Sequence, residues 1–424
     1  MRVLYFESPY SRFYARLNNA LKPTSAHTLL FNLGYLVYSP SLPIVFVKNA
    51  LKKIKPDEID YNLVKNTISL VNCKSREPSS IEFEEMARYA HFLKYFLVEH
   101  RIDCCICYND LRWQHAIAKS ICKQMNINIW FFEEGQFRPT TITLDNSGIN
   151  HGAQNTISKI LEQPLQDTKN KWNDCAPTFF DTFLKYLLFV CFLIGSKIGD
   201  LLSLNTCTKN KKYSLKKYTL LAALKLKSIF SNQKISNRIL DSKHLIVVPL
   251  QVNEDSQTQI YSPFYDSQQV IDLVESAISI LPKDIQKNLV VVFRKHPMAL
   301  SQKCILHSPN SVFSNAPTVQ LITKCKVLIT VNSTVALDGL VIGKPVLFLG
   351  QSVYTLINNT KTIVSKEEIS QAILDILNNV TTRKQTDIQS KIEKLKFNYQ
   401  INSNFYSRKS NLNNVIDRIQ HGFH

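Results

Sequence analysis

Much of what would place a protein quickly is missing from this sequence. It has no G-x-x-x-x-G-K-[ST] and no G-x-G-x-x-G, so the glycine fingerprints of P-loop and dinucleotide-binding folds are excluded. No D-x-D stands near a predicted strand end, which removes a common carboxylate anchor for Mg²⁺, and no metal site is expected. The ten cysteines follow no zinc-finger spacing, and several sit in apolar runs as core thiols do. Neither zinc nor a disulfide framework is indicated, and a reduced, cytoplasmic compartment is expected. The N-terminal MRVLYFESPY passes from one Arg into a strand-like run without a long apolar h-region, so no export signal is expected. There is no internal repeat and no low-complexity tract.

Acidic residues are scarce overall and absent in one place. The chain carries 51 Lys and Arg against 33 Asp and Glu, a formal charge of +18. That balance implies an anionic partner: nucleic acid, an acidic lipid surface, or a phosphorylated or carboxylated substrate. No RNP1 motif or zinc-finger spacing accompanies the charge, so nucleic acid is not the expected partner. Between Asp200 and Asp241 there is no acidic residue at all, while basic residues accumulate from Lys209 through Lys211, Lys212, Lys216 and Lys217 to Arg238. Just upstream lies the apolar run Tyr186 to Ile194, too short for the ~20 residues that cross a bilayer, so no membrane span is expected. An apolar helix followed by a polybasic stretch suits an anionic membrane surface, at about 1 kcal/mol per basic residue near it. A buried helix followed by a solvated linker is the alternative reading.

What is present is an α/β rhythm. At 424 residues the chain is too long for one core, and 45% hydrophobic against 20% charged residues excludes a largely disordered protein. Strands are predicted at Val3 to Phe6, Ile44 to Val47, Cys104 to Tyr108 and Ile127 to Phe132, alternating with helices around Ser11 to Leu21, Ile81 to His100 and Trp113 to Met125. The pattern resumes with strands at His244 to Leu250, Leu289 to Phe293, Val327 to Val331 and Pro345 to Leu349, and helices at Ser267 to Ile280, Ser333 to Ile342 and Lys366 to Leu377. Such alternation argues for parallel sheets covered by helices. The expected domains are 1–170, an apolar and polybasic insertion or linker at 171–240, and 241–424.

Four segments carry chemistry. In FFEEGQFRPTTITLDNSGIN, Glu133 and Glu134 stand side by side at a strand end, followed by Gly135 and Arg138. Adjacent carboxylates at such a place are costly, and one of them could serve as general base or nucleophile; helix capping and pairing with Arg138 is the structural alternative. FRKHP ends a strand with Arg294, Lys295, His296 and Pro297, a cluster suited to a phosphate. In TVNSTVALDGLVIGKPVLFLG, Asn332, Ser333 and Thr334 open a helix, where free amides and hydroxyls favour an anion or simply cap the helix. PLQVNEDSQTQIYSPF supplies Gln251, Asp255, Ser256 and Gln257 after a strand, groups that suit a sugar or a nucleobase.

Together with YNDLRWQHAIAKS these segments resemble the capsular polysaccharide synthesis family of the KpsS/LipB type, the β-Kdo transferases of bacterial capsule assembly (Kdo, 3-deoxy-D-manno-oct-2-ulosonic acid). The resemblance covers most of the chain from about residue 100 to 355. It implies an α/β, GT-B-like fold of two Rossmann-like domains facing a central cleft. By residue, it implies Glu134 as the catalytic carboxylate beside Glu133, and His296 with Pro297 and Lys295 on the phosphate of cytidine monophosphate (CMP). Asn332, Ser333 and Thr334 would hold that phosphate, Gln251, Asp255, Ser256 and Gln257 would line the donor side, and Asn109, His115 and Arg138 the acceptor side and cleft floor. The implied reaction moves β-Kdo from CMP-β-Kdo to a phosphatidylglycerol-type lipid with retained configuration and without cofactor or metal. The implied setting is the cytoplasmic face of the inner membrane, beside other capsule synthesis and export proteins. A transferase using another CMP- or CDP-activated donor, sialic acid or a polyol phosphate, is the alternative within enzymes; a non-catalytic capsule export or assembly factor is the alternative outside them.

Overall fold

The computed structural model describes residues 1–39, 42–55, 59, 61–67, 77–166, 172–209, 218–219, 239, 242–253, 255–296, 299, 303–379 and 385–423. The chain forms two compact units, Met1–Leu215 with Lys394–His424, and Lys216–Glu393. Within the first unit, strands β1 (Arg2–Tyr5), β2 (Ser25–Leu30), β3 (Ile44–Phe46), β4 (Cys104–Tyr108) and β5 (Asn128–Glu134) pair in parallel in the spatial order third, second, first, fourth, fifth. Strand β6 (Thr141–Asp145) adds antiparallel to β5. In the second unit, β7 (His244–Pro249), β8 (Leu289–Arg294), β9 (Ser311–Phe313), β10 (Val327–Thr330) and β11 (Val346–Phe348) repeat that order, all parallel. The last strand, β12 (Ile401–Asn402), returns to the first sheet beside β6.

This order is that of the Rossmann fold, in which the winding reverses beside the first strand and leaves a crevice at the carboxyl ends of the first and fourth strands. Both units have it. The sequence drives it through strands that are apolar on both faces, LVVVF at Leu289 to Phe293 for instance, as parallel strands between helical layers must be. On one face of the first sheet, Cys105, Cys107, Ile129 and Phe131 pack under the helices Ser80–Glu99 and Trp113–Met125. The other face presents Val3, Tyr5, Cys104, Ile106 and Phe132 to the helices Phe13–Leu21 and Asn413–His421. Cys104 and Cys107, three apart, therefore point to opposite sides of the sheet and cannot chelate one ion. In the second unit Ile246, Val248, Val291, Phe293 and Ile329 form the core with the helices Ser267–Ser279 and Lys366–Leu377.

Two boundaries differ from the expected 171–240 and 241–424. Residues 394–424 belong to the first unit because β12 continues its sheet, Arg16 donates to the carbonyls of Phe405 and Ser407, and Gln400 Nε2 donates to Thr143 Oγ1 at 2.9 Å. The apolar segment also belongs there. It forms the helix Phe179–Leu201, opened by a Thr178/Asp181 capping box and tied by an Asp181–Arg408 ion pair of 3.0 Å. Just past its end, Glu85 accepts from the backbone N–H groups of Cys207 and Thr208 at 3.0 and 2.8 Å.

The expectation that this segment is too short to cross a bilayer is corrected: the helix runs on at both ends of Tyr186 to Ile194 to reach 23 residues, about 34 Å at 1.5 Å per residue. By length and composition it is a candidate span, with 28% of its apolar window buried. The packing requires glycine at Gly199, where a Cβ would lie 2.2 Å from Asn205 Oδ1, and at Gly34 opposite the helix, where one would lie 2.4 Å from the Phe192 carbonyl oxygen; Gly195 faces Gly34, and its Cβ would lie 3.1 Å from the Gly34 Cα. The polybasic lysines 211, 212, 216 and 217 lie outside the described residues.

Candidate functional site

In the first unit the chemistry gathers at the carboxyl ends of β1, β4 and β5. Glu133 and Glu134 are still part of β5, opposite Thr143 and Ile142 of β6, so their side chains leave opposite faces of the strand. The hairpin that follows is as tight as it is because residue 135 is glycine. Its N–H donates to the Thr141 carbonyl at 3.0 Å, and any Cβ there would stand 2.1 Å from Thr141 Oγ1. Arg138 folds back so that Nε donates to the Gly135 carbonyl at 3.1 Å.

Glu133 is a held carboxylate. The Tyr108 hydroxyl, the Asn109 side-chain amide and the Glu134 N–H each donate to it at 3.1 Å. Burial raises its pKa above the ordinary carboxylate range, helped by the charge of Glu134 and opposed by the Glu134 N–H, the Asn109 amide and Arg138. Glu134 takes a hydrogen bond from the hydroxyl of Tyr406, whose own pKa burial and the two glutamates push up. Asn109 reaches Glu133 from a left-handed backbone, φ 71°, a conformation that asparagine tolerates better than most residues.

His115, expected on the floor of a cleft, lies one layer lower. It is fully buried, with Nδ1 donating to the Asn109 carbonyl at 2.7 Å and its ring edge-on to Phe6. Desolvation, and then Arg112, push its pKa down to about 3, so it is a neutral prop for Asn109 rather than a group that meets a ligand.

Sequence reasoning missed five neighbours. Glu7, just past β1, accepts from Gln114 Nε2 at 3.1 Å and from the Phe31 N–H, and lies 3.8 Å from Arg112; burial pushes its pKa up to about 7. The Arg112 guanidinium lies 5.2 Å from the Tyr108 ring centroid and 6.0 Å from that of Tyr10. Glu7 and Arg112 flank the crevice between β1 and β4, which is the switch point of this unit. Tyr406 comes from the returning C-terminal segment. Gln136 is buried, and neither polar atom of its side chain has a partner among the described residues. Of these, Glu7 and Arg112 stand in stretches already marked by pattern, but Tyr10, Gln136 and Tyr406 carry no local signal.

In the second unit the corresponding crevice lies between the ends of β7 and β10. Gln251, two residues past β7, donates through Nε2 to Asn332 Oδ1 at 2.9 Å and accepts from the Asn332 N–H at 3.1 Å. Asn332 Nδ2 in turn donates to the Gln257 carbonyl at 3.0 Å. Gln251 and Asn332 thus brace the two loops at the switch point against each other. Asp255 is the N-cap of the helix Ser256–Tyr261, taking the N–H groups of Gln257 and Thr258 at 2.9 and 3.3 Å. Gln257 Nε2 is buried, a donor with no hydrogen-bond partner among the described residues.

Ser333 Oγ accepts from the Val335 N–H at 3.3 Å, and Thr334 precedes the short helix Val335–Val341. On the neighbouring strand β8, Arg294 turns away to donate to the Ala316 carbonyl at 2.9 Å. Lys295 and His296 continue from the same carboxyl edge, the ammonium of Lys295 4.6 Å from the Phe313 ring centroid. Pro297 lies outside the described residues. The described residues contain no group of three or more His, Cys, Asp or Glu side chains able to hold a metal ion.

Each unit therefore offers a different surface: paired carboxylates with tyrosine and amide donors in the first, amides, hydroxyls, a lysine and an imidazole in the second. Comparison with known proteins gives this arrangement a family. Capsule polysaccharide modification protein LipB of Neisseria meningitidis serogroup B is 25% identical over 292 residues, spanning 63% of this chain and 68% of that protein. Capsule polysaccharide export protein KpsS of Escherichia coli is 22% identical over 280 residues, or 61% of this chain and 69% of that one. Among solved structures, the β-Kdo 2,7-transferase of Thermosulfurimonas dismutans KpsC covers 99% of this chain and 98% of its own at 11% identity and a TM-score of 0.39, too distant a likeness to carry chemistry across. The profile of the capsule polysaccharide biosynthesis proteins matches residues 103–406, nearly three-quarters of the sequence, from just before β4 to Tyr406, and the chain belongs to that family.

Proposed function

We propose that this protein is a metal-independent glycosyltransferase of the GT-B class that moves a β-Kdo residue from CMP-β-Kdo to the hydroxyl of a phosphatidylglycerol-type lipid, at the start of a capsule linker. The observation that carries the reading is the carboxylate pair at the end of β5, one member tied down and the other served by Tyr406. Membership of the capsule polysaccharide biosynthesis family agrees with it.

In this reaction the acceptor oxygen bonds to the anomeric carbon of Kdo, the bond from that carbon to the CMP phosphate oxygen breaks, and CMP leaves with the electron pair. Glu134 receives the acceptor proton, or first takes the sugar as nucleophile. Tyr406 keeps its carboxylate oriented. Glu133, desolvated and held by Tyr108 and Asn109, fixes the strand end from which Glu134 projects. On the donor side, His296 and Lys295, with Pro297, meet the departing phosphate, and Ser333 and Thr334 add hydroxyls. Gln257 Nε2 supplies a donor for the nucleotide or sugar, with Gln251, Asp255, Ser256 and Asn332 shaping the loops around it.

The test is incubation of the purified full chain with CMP-Kdo generated in situ and a fluorescent phosphatidylglycerol analogue, followed by mass spectrometry. The expected product is the acceptor heavier by one Kdo residue, formed at the same rate with and without EDTA. Transfer from a CMP-sialic acid or CDP-polyol donor in preference to CMP-Kdo would replace the donor assignment. Transfer from none would leave a non-catalytic assembly factor.

A further inference from the structure

The helix Phe179–Leu201 has two faces of the same chemistry, and among the described residues only one of them is packed. Leu188, Phe192, Leu193, Ser196 and Gly199 are buried against the first unit, with Asn32 Nδ2 donating to Ser196 Oγ and Asn205 Nδ2 to the Ser196 carbonyl, both at 2.8 Å. On the opposite side Phe183, Leu187, Val190, Ile194, Ile198 and Leu201 are all exposed, Leu201 to 84%. At 100° per residue these fall within one arc about 80° wide. With Phe179, Phe180 and Tyr186, also exposed, the stripe presents on the order of 900 Å² of apolar surface, where the largest patch on an ordinary monomer is about 300–600 Å².

Three features choose the occupant. First, the inner face is bonded and glycine-packed to an α/β unit, so the helix cannot stand across a bilayer despite its length; it lies along whatever surface it meets. Second, the surroundings are basic on balance. The two acids of the helix, Asp181 and Asp200, are each paired, with Arg408 and Lys209, while Lys197 at the edge of the stripe and Lys185, 3.7 Å from the Tyr406 ring centroid, add positive charge. A second copy of a chain of charge +18 would bring like charge to like, whereas an anionic lipid surface complements it. Third, the stripe backs onto the candidate site. The Tyr10 ring packs edge-on to Phe189 and Phe192 of this helix while Arg112 lies over its face, and Lys185 covers the ring of the tyrosine that bonds Glu134.

We propose that the outward face of Phe179–Leu201 is an in-plane insertion surface for an anionic bilayer, and that by embedding it the protein holds its β5 carboxylates at the level of the lipid headgroups. The second half of the statement rests on the transferase reading above; the first does not.

The test uses the full chain and flotation with vesicles of phosphatidylcholine containing about one-quarter phosphatidylglycerol. The double variant Val190→Glu/Ile194→Glu should lose about tenfold or more of its vesicle partition, while Val319→Glu, an exposed apolar position in the second unit, should lose none. Ile194→Trp should add emission that brominated lipid quenches, and binding should persist in part at high salt. Transfer to a short-chain soluble acceptor should be unchanged in the double variant, with transfer to vesicle-borne acceptor reduced. Unaltered partition of the double variant, absence of added quenching, or complete release by salt would overturn insertion. So would a parent dimer that the double variant dissolves while vesicle binding stays the same. If the parent transfers nothing to either acceptor, the transferase reading fails, and partition and quenching still decide the insertion.

Discussion

Replacing Glu134 by Gln separates chemistry from architecture, because the variant keeps an oxygen for the Tyr406 hydroxyl while losing the charge. General base or nucleophilic participation is worth about 10²–10⁴ in rate, so kcat should fall by that factor, equivalent to roughly 3–5 kcal/mol of barrier. KM for both substrates should stay within about threefold, since no ground-state contact is removed. The comparison is Glu133→Gln. Its side chain is occupied by Tyr108, Asn109 and the Glu134 N–H, so it acts through the position of its neighbour, and the loss should be about tenfold or less. Tyr406→Phe removes a hydrogen bond to a carboxylate, worth about 1.5–3 kcal/mol if it tightens in the transition state, and should fall between the two. Steady-state kinetics with CMP-Kdo and thermal melts on all three variants make the assay. A reversed order, with Glu133→Gln inactive and Glu134→Gln spared, would refute the assignment of roles; activity spared in both would refute the use of this carboxylate pair altogether.

Three further outcomes are expected. Burial lifts the Glu7 acid to about 7 from an unfolded value near 4.5, so the folded state binds the proton more tightly; its contribution to stability is complete below about pH 4.5 and is lost as pH rises to about 7, on the order of 3 kcal/mol over that window. Glu7→Gln should flatten that slope in urea titrations. Gly34→Ala places a methyl 2.4 Å from the Phe192 carbonyl oxygen and 2.8 Å from its ring; overpacking of this kind costs about 1–3 kcal/mol and should lower Tm by about 2–4 °C per kcal/mol. Asn332→Ala breaks the brace between the loops after β7 and β10, and KM for the donor should rise about tenfold with a smaller change in kcat, read from initial rates.

The parallel strands were legible because each is a continuous apolar run. Cys104–Tyr108 is observed as predicted, and β7, β8, β10 and β11 differ from expectation by a residue or so at their ends. The helix Trp113–Met125 was legible from its face of Trp113, Ala116, Ile117 and Ile121. By contrast, β2, SAHTLL, and β6, TITLD, have mixed patterns, and β12 is two residues whose pairing with β6 depends on contacts about 260 positions apart. The same distance hid Tyr406. Glu134 looked isolated in sequence because its partner arrives from the far end of the chain. Conversely, Asp255, Gln251 and Asn332 were visible as polar residues after strands, but pattern could not distinguish side chains that brace a loop from side chains left open, such as Gln257.

The return of Lys394–His424 to the first unit also sets an order of assembly. The second unit, Lys216–Glu393, is one uninterrupted stretch and can close as soon as it leaves the ribosome, whereas the earlier-made unit waits for its last strand. Until then the outer edge of β6 stays unpaired, an open template for association with other chains, and Glu134 lacks its tyrosine. The part synthesised first is the part completed last, so a premature stop between residue 393 and Tyr406 would take the tyrosine from the carboxylate site while leaving the second unit entire.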